Sequence, residues 1–493
     1  MKKAIIIGGG IAGITAGIYG RKVGFETLVL EKHTIPGGLC TAWSRKGYTI
    51  DGCVHFIMGS GRGSSFHDIW NELGVFDVLD PQKDFVYHED FFHFQFADGQ
   101  YVNLTGNLDK LEKDLGSRFP EDRKQIRKFI KAVISLRGFE PPVDLLKGGK
   151  NMLKAVGRSW KYIYPLIKWK NTSISKFASA FKSHELREAF VRLWYPDYNM
   201  LYILLILDWL RRGLAGFPKG NSRGFAEILE KELLSNGGVI RYGAGIQKVI
   251  VENSQAVGIE LESGEKIEAD YIIHAAASPE SIRAQLGIDY LKGKQYPITP
   301  PLVHLCFGSS YDFSDYTSPA CGLQLELKPA IRFVESEMEH EFLLIHIYNF
   351  APGLAPEGKT LVKAVFPSTY DYWHRLKSEN PETYKAEKKR VSLLILEAVG
   401  RYFPGFESTV DMVDVATPDT FHRYTGNQEG SLIAWGAVPE TPMMLGKTIP
   451  GIENLYLAGH WVMPGGGVPQ AAMSARQAIQ AVCMDEGVEF DIT

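Results

Sequence analysis

The chain has few cysteines, and none of them pair in sequence. Cys40, Cys53, Cys306, Cys321 and Cys483 lie far apart, with no CxxC spacing. That pattern excludes a zinc ribbon or a redox dithiol and fits a reducing cytoplasm. Long apolar runs are missing as well. The greasiest stretch, Met200 to Leu207, is short and closed by Asp208, so it does not read as a bilayer span. Behind Met1-Lys2-Lys3 stands a glycine-broken stretch rather than a signal-peptide core. Neither sign of charge dominates, at −3 overall, which argues against a nucleic-acid partner. There is no internal repeat, no low-complexity tract, and no Ser/His/Asp, metal-ligand or paired-carboxylate constellation.

What is present is large and globular. The 493 residues are 45% hydrophobic and 23% charged, enough for two or more packed domains. Ala4 to Ile7 is an apolar run, and Gly8-Gly9-Gly10-Ile11-Ala12-Gly13 follows directly. A helical stretch comes next, then Thr27-Leu28-Val29-Leu30, the acid Glu31 with Lys32, and a turn at Pro36-Gly37-Gly38. Strand, glycine turn, helix, strand and acid in this order form a dinucleotide fingerprint. Gly8 permits the tight turn, Gly10 lets backbone approach a pyrophosphate, and Gly13 lets helix meet strand. Free N–H groups at the helix start suit phosphate, and Glu31 suits ribose hydroxyls. A second such unit is lacking, because Gly59-Ser60-Gly61-Arg62-Gly63 has the glycines at the wrong spacing. FAD is therefore the expected tight cofactor, with nicotinamide at most a visitor.

Further along, Phe92 to Phe96 and Tyr101 to Leu104 flank Asp98-Gly99 as a hairpin. Residues 108–214 read as mostly helical. Short strands are expected at Val239–Tyr242, Gln247–Glu252, Ala256–Leu261 and Tyr271–Ala275, then at Leu343–Tyr348 and Thr360–Phe366. A charged helix from Tyr370 to Phe403 should break near Pro381. Asn454 to Ala458 is a last buried strand before a glycine turn and a helix.

These segments carry a family resemblance. Gly8 to Gly13, Glu31, Gly37-Gly38 and the C-terminal run from Asn454 through Gly459, Pro464 and Gly467 to Val468 resemble the phytoene desaturase family of FAD flavoproteins. That group includes retinol saturases and carotenoid isomerases. Leu30 to Cys40 and Asp51 to His55 look closest to the retinol saturase branch, and Gly238 to Asp270 also matches. The resemblance implies an α/β fold: a Rossmann-type FAD-binding domain with a mixed-sheet substrate domain and a helical cap. The FAD domain is expected from residues 1–80, 216–290 and 436–493. The substrate domain is expected from 81–215, which carries a membrane-facing cap, and from 291–435. The implied cofactor contacts are Gly8, Gly10, Ile11, Ala12, Gly13, Glu31, Lys32, Gly37, Gly38, Leu39, Val249, Gly459, Gly466, Gly467 and Val468. Val249 stands where the family's backbone meets the adenine.

Two departures bear on chemistry. Leu39 stands where related amine oxidases carry arginine. His460, Trp461, Val462 and Met463 replace mostly small residues beside the flavin, which puts simple desaturase activity in question. The resemblance brings His55 and His460 near the ring, as catalytic candidates able to supply a proton. Packing histidines are the alternative.

From residue 145 to 184 there is no acid, but Lys147, Lys150, Lys154, Arg158, Lys161, Lys168, Lys170, Lys176 and Lys182 are present. The first five form one helical stripe, with Leu153, Val156, Trp160 and Ile163 opposite. A helix is expected to start near Asn151 and to end before Pro165. It reads either as a solvated basic face or as a membrane-interface helix with Trp160, Tyr162, Tyr164 and Trp169 at headgroup depth. The family's lipid substrates favour the second, over residues 147–170, on the inner face of the membrane of a cytoplasmic protein. The overall expectation is an FAD-dependent oxidoreductase acting on C–C or C=C bonds of a long apolar lipid, with electron donor or acceptor open. A flavin-dependent cis–trans isomerase, an amine oxidase-like enzyme and a lipid carrier are the rivals.

Overall fold

The computed structural model describes residues 1–144, 149–335 and 337–492, with backbone alone for 149–159. Among them, a nine-stranded sheet is organised around Lys3–Ile7. This strand pairs in parallel with Glu26–Leu30 on one side and Tyr271–His274 on the other. Val239–Arg241 extends one flank, and Ile452–Leu457 the other. Ala4, Ile5 and Ile6 are fully buried, as expected of a strand covered on both faces. The helices Ile11–Lys22 and Val468–Glu486 pack against each other on this sheet. The carboxyl ends of the four longest-paired parallel strands meet at one edge, where Gly8 N bonds Leu30 O at 2.8 Å, Ala275 N bonds Ile7 O at 2.9 Å and Ala458 N bonds His274 O at 3.0 Å. The order of strands reverses at Lys3–Ile7, and such switch points open a ligand crevice.

A second sheet has seven strands, in the order Val410–Ala416, Leu302–Ser309, Thr360–Pro367, His340–Ile347, Leu323–Ile331, Asp90–Gln95 and Tyr101–Thr105. Side chains alternate across it. Val303, Leu305, Phe307, Ile345, Val362 and Phe366 share one apolar core with Trp373, Val391 and Ile395 of the helices Tyr370–Glu379 and Pro381–Gly400. The alternate positions carry His304, Cys306, His346 and Lys363. This opposite face meets the hairpin Ala42–Arg45 and Tyr48–Asp51: Trp43 Nε1 donates to Asp414 at 2.9 Å and Tyr48 Oη to Asp411 at 2.8 Å.

The basic helix differs from expectation. It runs from Gly149 to Lys170, straight through Pro165. Proline inside a helix loses one hydrogen bond and costs about 3 kcal/mol, but packing on both sides of it compensates. Tyr162 is buried against Phe139 at 5.4 Å and donates to Arg137 O at 2.9 Å. Trp169 is buried against Phe177 at 5.9 Å, and Lys170 donates to Pro439 O. Tyr162 and Trp169 are thus anchors into the core, not headgroup-level rings. Trp160, Ile163, Tyr164 and Ile167 face outward, 44–73% exposed. Lys147 and the side chains of Lys150, Leu153, Lys154, Val156 and Arg158 lie outside the described residues.

Candidate active site

The glycine turn is built by close backbone contact. A Cβ on Gly13 would sit inside the Gly8 carbonyl oxygen, so the helix demands glycine there. Gly10 is different. Its φ is an ordinary −73°, and a Cβ would meet nothing closer than 3.8 Å. Protein packing therefore does not require glycine at 10, but a ligand pressed to the backbone does. Gly10 caps the Ile11–Lys22 helix with no side-chain bond, leaving the first-turn N–H groups of Ile11, Ala12 and Gly13 open. Gly37 N donates to Gly9 O at 2.8 Å, and Gly38 lies against Gly10. Glu31 is buried, and its carboxylate accepts from Gly9 N at 2.6 Å and His33 N at 2.7 Å. The acid is thereby aimed at the turn, with lone pairs left over for hydroxyls. Lys32 is exposed beside Gly426, Leu39 is partly buried, and Val249 is buried opposite Ile259.

The C-terminal turn enters the same crevice. Gly459 lies over the Ala275 carbonyl and near Ala12, and its N–H donates to Ser474 Oγ at 2.7 Å. Gly465, Gly466 and Gly467 all have positive φ, and Gly467 caps Val468–Glu486 without a side-chain bond. Pro469 has no N–H, so Val468 and Gln470 offer the open amides. Gln470 Oε1 is buried with no partner. An uncapped helix start, an orphaned acceptor and an unfilled cradle at Gly10 fit a bound dinucleotide.

The two candidate histidines lie in different settings. His460 Nε2 meets Asn427 Oδ1 at 3.2 Å, an oxygen that also takes Trp461 Nε1 at 2.6 Å. Trp461 is buried against Trp435 at 5.0 Å, so the bulky run after Gly459 fills core. Burial pushes His460 down to about 4. His55 stacks on His346 at 4.3 Å and lines a small cavity with Tyr348, Phe217, Ile347 and Phe350. Burial, then the Lys363 charge, pushes His55 down to about 3. Both rings are neutral at physiological pH, so each can donate or accept a hydrogen bond but is not a ready acid.

A family model described as an NAD(P)-binding Rossmann-like domain matches residues 6–73. A chloroplastic prolycopene isomerase of Daucus carota is 26% identical, over 99% of this chain and 80% of that one. A lycopene-forming phytoene desaturase of Pseudescherichia vulneris is 22% identical, over 98% and 100%. Over nearly its whole length the chain is similar to carotenoid isomerases and desaturases of the phytoene desaturase type. It is an enzyme of the flavin-dependent oxidoreductase class. Wild-type putrescine oxidase bound to putrescine shares the fold, with TM-score 0.60, 14% identity, and coverage of 98% of this chain and 99% of that one.

On this fold, the polar residues that sequence reasoning missed stand beside His55. They are His304, His346, Tyr348 and Lys363, with Asp51 beneath them. Each sheet residue interrupts an apolar strand, as Lys363 does in Thr360-Leu-Val-Lys-Ala-Val-Phe366. A lone polar residue at an inward position of a buried strand was the available signal.

Proposed function

We propose that this chain holds FAD and exchanges hydride with a carbon–carbon bond of a long apolar chain, isoprenoid or polyunsaturated. The convergence of the Gly8–Gly13 turn, Glu31 and the Gly459–Val468 turn at one sheet edge carries this reading. Glu31 would accept ribose hydroxyls, the amides of Ile11 to Gly13 would bind pyrophosphate, and those of Val468 and Gln470 would face the flavin. The flavin supplies the hydride chemistry. The protein's part is to orient substrate and exclude water. Neutral His55 and His460 act in this reading as hydrogen-bonding and positioning groups. The test is anaerobic: reduce the purified holoenzyme, add a polyene, and follow flavin absorbance with product mass. Reoxidation with a mass change of two hydrogens supports the reading, and a flavin indifferent to every polyene and donor overturns it.

The likeness to a prolycopene isomerase favours a second reading, isomerisation on reduced flavin. Its mark is a product of unchanged mass.

The outward stripe Trp160, Ile163, Tyr164 and Ile167, at i, i+3, i+4 and i+7, supports peripheral membrane attachment. Lys161 and Lys168 flank it. Among the described residues no helix is long and apolar enough to cross a membrane. Attachment on the inner face would give the active site access to bilayer-dissolved substrate.

A further inference from the structure

We propose that the buried cluster of Lys363, Tyr348 and His346 receives the carboxylate end of an otherwise apolar chain substrate, with Lys363 standing behind the small cavity that Tyr348 and His346 line. This rests on the apolar-substrate reading above and narrows it from hydrocarbons to acids.

Strand register builds the cluster. Lys363 stands directly opposite Cys306 on one neighbouring strand and His346 on the other. All three point away from the helix-covered core. Lys363 is 1% exposed, yet it forms no ion pair among the described residues. It donates to the Asp51 carbonyl at 3.1 Å and also meets the Tyr348 hydroxyl. The Asp51 carboxylate is already engaged by Ser222 N at 2.7 Å, Ser222 Oγ at 2.6 Å and Cys53 N at 3.0 Å. The ammonium charge is therefore left without a carboxylate partner in a buried setting.

The neighbouring groups are unsatisfied too. Tyr348 Oη, His346 Nε2, His55 Nδ1 and His304 Nδ1 are buried without a hydrogen bond of normal geometry. Buried polar atoms are rarely left unpaired, and a concentration of them points to a polar group bound among them. Among the described residues no cluster of metal-ligating side chains has the geometry to hold a metal ion. The cavity beside His55, His346 and Tyr348 is about 10 Å³, room for a headgroup atom rather than a chain. Tyr316 and Ser318 also line it, and its remaining walls are apolar. The cluster is rich in donors and carries one positive charge. A carboxylate is acceptor-only, carries one negative charge and matches both properties. An alcohol or ester matches only the first.

The test uses the fluorescent tetraene cis-parinaric acid and its methyl ester with the flavin-loaded enzyme at neutral pH. The acid should bind about tenfold or more tightly than the ester, the margin of one charge-assisted hydrogen bond. Lys363→Met should bind both alike, and Tyr348→Phe, which removes only a hydroxyl, should lose part of the preference. Acetate at the probe's own concentration should leave the acid bound. Equal binding of acid and ester to the wild type overturns the proposal, as does binding of neither. So does an unchanged preference in both variants, or displacement by acetate. The readout is probe fluorescence. A failure of the flavin reading would appear separately, as protein without flavin absorbance.

Discussion

The imidazoles of His55 and His346 stack 4.3 Å apart and 14° from parallel, although 291 positions separate them in sequence. One ring comes from the loop after Tyr48–Asp51, the other from a strand of the seven-stranded sheet. Their contact joins the segment that follows the dinucleotide turn to the sheet that faces it.

This stack and the other buried histidines set an acid limit. Burial holds His55 near 3, and His274 and His460 near 4. The folded chain keeps these rings neutral while the unfolded chain takes up protons below about pH 6.5. Their contribution is therefore complete above pH 6.5 and is lost as pH falls toward 4. For His274 it is of order 3 kcal/mol by linkage. Melting temperature should fall steeply across that window. His55→Phe, which keeps a stacked ring, should fall less steeply, and an identical slope in wild type and variant would refute the assignment.

Lys447 works at the other end of the pH scale. It is buried with no partner for Nζ, and burial lowers it to about 7. The unfolded chain holds this proton up to about 10.5, so stability should rise with pH from 7 toward 10.5. Lys447→Met should melt higher than wild type at pH 7, with the gap closing as pH rises. Thermal melts at stepped pH read this directly.

Glu31 ties the turn together before any ligand is considered. Glu31→Ala would strand the Gly9 and His33 amides, costing about 1–3 kcal/mol for each buried donor. Flavin content after gel filtration should fall along with melting temperature. Glu31→Gln should keep part of the stability, since its one carbonyl oxygen can still accept. Full flavin retention in Glu31→Ala would show that the carboxylate has no part in holding the cofactor.

Gly10 and Gly13 separate ligand from packing. Gly13→Ala should destabilise the fold by overpacking, by about 1–3 kcal/mol or more. Gly10→Ala meets Gly37 O and Gly38 Cα only at ordinary contact distance, 3.8 and 3.9 Å, and should fold normally yet lose flavin. A Gly10→Ala protein that binds flavin as wild type does would remove the cradle argument.

The long basic helix has two faces with different costs. Ser at Trp160, Ile163, Tyr164 and Ile167 should each change stability by no more than about 0.5 kcal/mol. Together they should abolish sedimentation with anionic vesicles. Trp169→Ala opens the buried face and should cost about 3–5 kcal/mol. Vesicle binding unaffected by the fourfold change would place the membrane contact elsewhere.

Much of this was legible from local pattern. Apolar runs, glycine spacing and the acid after Leu30 describe the first βαβ unit, because each constraint acts within a few residues of the last. The same holds for the Phe92–Leu104 hairpin and for the helix break at Pro381, where the structure ends one helix at Glu379 and starts the next at Pro381. Pro165 has the same local signal and the opposite outcome. Anchors at Tyr162 and Trp169 outweigh the lost hydrogen bond, and their partners Phe139 and Phe177 are set by packing.

The sequence by itself determined the cofactor class, since a phosphate-binding turn is written in contiguous residues. Only the tertiary structure decided what faces His55. Lys363, His346 and Cys306 become neighbours through antiparallel register, and Asp51 reaches them only when its hairpin docks on that sheet. Period-two alternation turned the three toward one buried face, and nothing in their separate sequence neighbourhoods announces that meeting.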